Sequence, residues 1–192
     1  NNEIFKIGVI GRLVEKKGID TLINAIAFLK KQKQSIELCI AGSGPLENTL
    51  KELVKQNDLT TSDVNFLGPI PHSEVAGFIK SLDMFVLPCK KDENGDIDGI
   101  PVVLMEAMLS GVPVISTELS GIPELVINAK TGVTVEPDNV VALALSIKQL
   151  ALDSVLREKV TQNAIVKVKT DFSLFENTNK LNNLFMNYAK EN

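Results

Sequence analysis

Two kinds of segment alternate along the first 135 residues. Short, nearly unbroken apolar runs are followed by longer stretches whose apolar residues recur three and four positions apart. The runs are Ile4–Ile10, Ile36–Ile40, Val64–Leu67, Met84–Leu87, Val112–Ser116 and Gly132–Val135. Each has the length of a strand; three are followed directly by Gly11, Gly68 or Pro88, and a fourth stops one residue short of Gly42. Between them, Ile19, Leu22, Ile23, Ile26 and Leu29 mark a helix over 17–33. Leu46, Leu50, Leu53 and Val54 mark a second, and Val75, Phe78, Ile79 and Leu82 a third over 74–82. Further helices are predicted over 101–110, 123–128, 138–152, 154–169 and 174–190. The last keeps Leu181, Leu184, Phe185 and Tyr188 at helical spacing within an Asn-rich tail.

Antiparallel strands with one wet face alternate apolar and polar residues; parallel strands covered on both faces read as continuous apolar runs. The pattern therefore predicts an α/β fold. It is a Rossmann-like open parallel sheet of about six strands, with helices on both faces and helices closing the C-terminus. The 192 residues suit one domain, and neither an internal repeat nor a linker divides them.

Composition narrows the function classes. With 20 Lys plus Arg against 24 Asp plus Glu, the net charge is −4, which disfavours a general nucleic-acid or anionic-membrane binder. No apolar stretch is long enough to span a bilayer. One histidine, His72, excludes a His-based metal site. Cys39 and Cys89 sit in apolar surroundings without metal spacing and read as buried, reduced thiols of an intracellular protein.

In such sheets ligands bind beyond the carboxyl ends of the strands, so the chemistry is sought there. After the first strand comes Gly11-Arg12-Leu13-Val14-Glu15-Lys16-Lys17-Gly18. A glycine turn, several cations and a helix start would form an anion site; a solvated basic turn is the plain alternative. After the second comes Gly42-Ser43-Gly44-Pro45, a partial dinucleotide fingerprint with Glu47 where its third glycine belongs. That break disfavours a nicotinamide-dependent oxidoreductase.

The densest stretch follows the fourth strand. Asp98 stands ahead of a helix opened by Pro101 and would either cap it or meet a ligand. Glu106 interrupts an otherwise apolar helix and needs a partner: a backbone group, a cation or a ligand hydroxyl. The acidic run Asp92, Glu93, Asp96, Asp98 lacks the calcium-loop spacing and reads as a solvated loop. Glu124 would cap the helix after Ser120-Gly121, and His72, at a helix entry, reads as a structural or surface residue.

These motifs occur in one order: Gly11-Arg12-Leu13 with Lys17-Gly18, Gly42-Ser43-Gly44, Phe66-Leu67-Gly68, Asp98 with Glu106-Ala107-Met108 and Gly111-Val112-Pro113-Val114, then Ser120-Gly121-Ile122-Pro123-Glu124 and Thr131-Gly132. Together they resemble the C-terminal, donor-binding half of the retaining GT-B glycosyltransferases of family 4. The likeness covers 4–136 by motif and the rest by helical pattern.

The resemblance implies roles. Arg12 and Lys17 would bind the donor diphosphate and stabilise the charge growing on it as the sugar leaves. Glu106 matches the second carboxylate of an E-x7-E element and would hold the ribose. Asp98 matches the first, which meets the transferred sugar, although it is one methylene shorter than the usual Glu. Gly11, Gly44, Gly99, Ile100 and Pro101 would surround the sugar and phosphates, Ile70 would hold the base through its main chain, and Glu74 would lie nearby. No cofactor or metal is expected, only a UDP-, GDP- or ADP-sugar. The chain would supply donor binding within a hexosyltransferase of polysaccharide or glycoconjugate synthesis. An absent N-terminal domain would bind the saccharide or lipid-linked acceptor, leaving this chain inactive alone. The setting expected is the cytoplasm, any attachment to the inner face of the membrane coming from the missing half. The rivals are a GT-B hydrolysing epimerase and a non-catalytic nucleotide-binding module.

Overall fold

The computed structural model describes residues 4–173 and residue 178. Apart from residue 178, the helix expected over 174–190 lies outside the described residues. Six strands form one all-parallel sheet: β1 (Phe5–Ile10), β2 (Ile36–Ala41), β3 (Val64–Gly68), β4 (Met84–Val86), β5 (Val114–Thr117) and β6 (Val133–Val135). Their spatial order is β3-β2-β1-β4-β5-β6. The chain thus runs outward from β1 to β3, crosses back, and runs outward again from β4 to β6. The sheet reverses between β1 and β4, and there the loops after two adjacent strands diverge and leave a crevice.

Seven helices complete the described part: α1 (Ile19–Lys31), α2 (Glu47–Gln56), α3 (His72–Lys80), α4 (Val102–Leu109), α5 (Ile122–Leu125), α6 (Val140–Leu152) and α7 (Ser154–Asp171). Packing divides most of them into two groups, α1 against α2 and α6, and α4 against α3 and α7. The right-handed rule for parallel crossovers assigns α1 and α2 to one face of the sheet and α3 and α4 to the other, and α6 packs on α7 as well as on α1. Both faces being covered, successive residues of the central strands are buried: Ile7, Gly8 and Val9 on β1, Leu38, Cys39 and Ile40 on β2, and Met84, Phe85 and Val86 on β4. On α1, Leu22, Ile23, Ile26 and Leu29 lie in the same core.

Several boundaries differ from expectation for local reasons. The helix expected from residue 17 starts at Ile19, because Glu15–Lys17 form a tight 3-10 turn ended by Gly18 at φ 64°. The strand expected from Val112 starts at Val114, because the Val112 N–H donates to the Ala107 carbonyl and closes α4. The helix expected over 123–128 spans only Ile122–Leu125, since the Thr131 hydroxyl accepts from the Ile127 N–H and donates to the Leu125 carbonyl, tying the following turn back.

Candidate functional site at the sheet crossover

Three strand-end loops, after β1, β2 and β3, interlock beside this crossover, and the interlock depends on glycines. Leu13 N donates to the Ser43 carbonyl at 2.9 Å, and Leu46 N donates to the Leu13 carbonyl at 3.1 Å. A Cβ on Gly44 would lie 2.4 Å from that Leu13 oxygen, and one on Gly42, at φ 130°, 1.9 Å from the Gly11 oxygen. No side chain fits at either position, so the backbones after β1 and β2 lie in contact. The result is a cleft of about 430 Å3 lined by Gly11, Arg12, Gly42, Gly44 and, from the loop after β3, Ile70. Four residues singled out from sequence, Gly11, Arg12, Gly44 and Ile70, thus line one hollow. Arg12 is exposed there and has no ion-pair partner among the described residues.

The 3-10 turn after β1 also grips the long loop after β4. Lys90 N donates to the Lys16 carbonyl at 3.0 Å, and Glu93 N to the Glu15 carboxylate at 3.1 Å. Lys17 Nζ sits 2.7 Å from one Asp98 oxygen, and Lys16 Nζ lies 3.4 Å from the other and 2.8 Å from Asp96. The Asp96 hydrogen bond outweighs desolvation and holds the Lys16 ammonium above its usual pKa. Lys17 also runs over Gly11, where an added Cβ would meet its Cε at 3.7 Å. Lys17 is therefore placed between the cleft and Asp98.

Of the two readings of Asp98, that of a cap for α4 is not met. The helix begins after Pro101 without a side-chain cap, and Asp98 faces the lysines instead. The first amides of α4 stay uncapped by side chains, which leaves the positive end of its dipole at the strand ends. Likewise α5 has no side-chain cap, so Glu124 does not fill that role. Cys89 is buried, and its thiol lies 3.8 Å from Asp98. Burial first, then the neighbouring carboxylate, pushes the thiol up to about 12. The buried hydroxyls of Ser116 and Thr117 on β5 donate to the Leu87 and Cys89 carbonyls and hold the chain end after β4 in place.

The remaining predicted residues lie just before α4 and on it. Gly99 is exposed, Pro101 is buried, and Ile100 packs where a Cβ on Gly121 would come within 2.9 Å of it. Glu106, half-buried, lines a groove of about 250 Å3 with His72, Val75, Ala76 and Ser110. It has no hydrogen-bond or ion-pair partner among the described residues. The carboxylate that breaks the apolar run of α4 thus opens onto a hollow between α4 and α3, and His72 is an exposed wall of it. In the acidic loop, Asp92 accepts from the Asn94 and Asp96 amides, so that carboxylate shapes a turn. Among the described residues no three His, Cys, Asp or Glu side chains cluster as metal ligands would.

Sequence reasoning gave Lys16 no role beyond one cation among several, and passed over Lys90. The Lys90 Nζ, buried beside the crevice, pairs with Asp20 at 2.7 Å and Asp138 at 3.1 Å, tying the loop after β4 to α1 and to the turn before α6. Its partners are 70 and 48 residues distant in sequence, so no local motif reveals them.

Comparison with known proteins adds to this geometry. The family model described as glycosyl transferases group 1 matches residues 1–167. The chain belongs to that family. It is 38% identical over 164 residues to the amylovoran biosynthesis glycosyltransferase AmsK of Erwinia amylovora, covering 85% of this chain and 40% of AmsK. It is 34% identical over 146 residues to a GDP-mannose-dependent α-(1-6)-phosphatidylinositol monomannoside mannosyltransferase of Mycobacterium tuberculosis, covering 75% of this chain and 37% of that protein. Among solved structures it superposes on the C-terminal domain of a group 1 glycosyl transferase, LpcC, from Francisella tularensis. The TM-score is 0.77 at 28% identity, covering 88% of this chain and 87% of that one. As a group 1 glycosyl transferase, the chain has the Rossmann-like fold of a C-terminal-type GT-B domain. It spans about 40% of the length of the first of these relatives. No described helix is long and apolar enough to cross a membrane.

Proposed function

We propose that this chain is the donor-binding half of a retaining, family 4-type glycosyltransferase. It would hold a nucleoside diphosphate sugar while the sugar passes to an acceptor hydroxyl in polysaccharide or glycoconjugate synthesis. The observation that carries the reading is the placement of Arg12 and Lys17 on either side of the Gly11 turn. Arg12 lines the cleft at the strand ends, and Lys17 runs over Gly11 of the same turn to reach Asp98, ahead of α4.

The chemistry follows from charge. As the bond from sugar to diphosphate breaks, negative charge grows on the departing phosphate. A guanidinium and an ammonium fixed beforehand stabilise that charge more than they stabilise the intact donor, which is what speeds the step. Arg12 offers a planar fork for two phosphate oxygens, and Lys17 a point charge. Asp98 faces the sugar side and accepts from its hydroxyls. Glu106 accepts from the ribose, and Ile70 meets the base through its main chain. Gly44, Gly99, Ile100 and Pro101 set the walls. No metal or cofactor takes part in this scheme. The acceptor, a saccharide or a lipid-linked saccharide, would be bound by a further domain of the kind that makes up the rest of the relatives' length. The reaction would take place in the cytoplasm or at the inner face of the membrane.

Calorimetric titration with UDP, GDP and ADP tests the reading. At least one should bind in the micromolar to low millimolar range. A folded chain that binds none of them at millimolar concentration overturns it. We further propose that this chain alone transfers no sugar, and measurable transfer by it would contradict that.

A further inference from the structure

Asp98 has two cations, and only one of them points toward the proposed phosphate site. Lys17 lies 2.7 Å from Oδ2 and runs over Gly11; Lys16 lies 3.4 Å from Oδ1 and runs toward Asp96. All four side chains form one cluster in which the two ammonium groups and two carboxylates balance. Lys17 is thus already neutralised before any ligand arrives. Asp98 is only 16% exposed at its side chain, so water alone compensates it poorly if Lys17 turns away.

From this we propose that Lys16 is a positioning residue that releases Lys17 to the donor diphosphate. When the phosphate draws Lys17 off Oδ2, Lys16 closes on Asp98, keeps its charge compensated and fixes its orientation toward the sugar. The main chain favours this division of labour. The Lys16 carbonyl is pinned by Lys90 N, and the Glu15 carboxylate by Glu93 N, so the turn holds its place while the two ammonium groups exchange partners. Without Lys16, Lys17 would be kept by Asp98 or would leave a half-buried carboxylate unpaired, and either outcome weakens diphosphate binding. Lys16 itself touches no phosphate in this scheme. The inference rests on the donor-site reading of Arg12 and Lys17.

A double-mutant cycle separates this role from direct phosphate contact and from a merely structural one. UDP, GDP and ADP are titrated into the wild type, Lys16→Gln, Asp98→Asn and the double variant, each checked for folding by its melting curve. We expect Lys16→Gln to weaken the bound diphosphate about tenfold, which equals roughly 1.4 kcal/mol. Lys16→Arg should restore most of it. In the Asp98→Asn background, Lys16→Gln should change affinity less than about twofold. A loss of the same size in both backgrounds means Lys16 acts on the phosphate directly and overturns the proposal. So does wild-type affinity in Lys16→Gln. If no nucleotide binds the wild type at all, the donor-site reading fails first, a result distinct from either of these.

Discussion

Gly18 joins the two loops that flank the crevice, and replacing it tests whether that junction is as tight as the geometry states. It stands at φ 64°, where an L side chain costs roughly 1–2 kcal/mol in backbone strain. An alanine Cβ would also lie 1.9 Å from the Pro88 carbonyl oxygen, whereas ordinary contact begins near 3.4 Å. The chain after β4 would have to open by roughly 1.5 Å, and overpacking of that kind costs a further 1–3 kcal/mol or so. Gly18→Ala should therefore lose about 2–5 kcal/mol, or roughly 5–15 °C in Tm for a chain of this length. Two other glycines supply internal controls. Gly68 also has a positive φ, of 71°, but nothing lies within 4 Å of an added Cβ, so Gly68→Ala should lose only the strain of roughly 1–2 kcal/mol. Gly77, inside α3 and equally open, should gain about 0.5–1 kcal/mol as Ala. Urea denaturation and thermal melts of the three variants give the order directly. Gly18→Ala melting no lower than Gly68→Ala would refute the clash with Pro88.

Asp63, buried between α1 and β3, accepts from the Thr60 N–H and hydroxyl and pairs with Lys30. Burial alone would raise its carboxyl pKa, but Lys30 and the Thr60 donors outweigh it and hold it below 3.8. A carboxyl lowered in this way contributes stability above its unfolded pKa and loses it as pH falls through the folded one. Asp63→Asn should cost about 1–3 kcal/mol at pH 7 and progressively less below pH 4, as measured by urea midpoints across that range. Burial, followed by smaller effects from nearby carboxylates, raises the Cys39 and Cys89 thiols to about 11 and 12, so neither should react with a thiol reagent at pH 8 until the chain unfolds; fast labelling of the native chain would contradict their burial. Glu106→Gln neutralises a carboxylate without a protein partner among the described residues, so its melting curve should move by less than about 0.5 kcal/mol equivalent. Its nucleotide affinity should fall about tenfold, measured against the same nucleotide lacking ribose hydroxyls.

The alternation of strand and helix was legible because β1, β2 and β4 are buried on both faces and so read as unbroken apolar runs. The glycine turns at Gly11, Gly42 and Gly68 were legible for a related reason: the chain has to reverse where each strand ends. Strand order was harder to read, since nothing local shows that β4 returns beside β1. The same holds for side-chain partnerships across the crevice. Asp98 preceding a helix looks like a cap, and only the meeting of loops 81 residues apart shows it between Lys16 and Lys17. Lys90 looks like the start of a polar loop, yet its ammonium is buried between Asp20 and Asp138. Glu106 was conspicuous because it broke an apolar pattern. The groove it opens onto depends on α3, which arrives from the far edge of the sheet.

The measurement closest to the central claim compares wild type with Arg12→Ala/Lys17→Ala, titrating a nucleoside diphosphate and its parent nucleoside in parallel. Removing two charge-assisted contacts should weaken the diphosphate by about a hundredfold or more while changing the nucleoside less than about threefold. Equal losses for the two ligands, or none for the diphosphate, would contradict the assignment of these cations to the donor's phosphates.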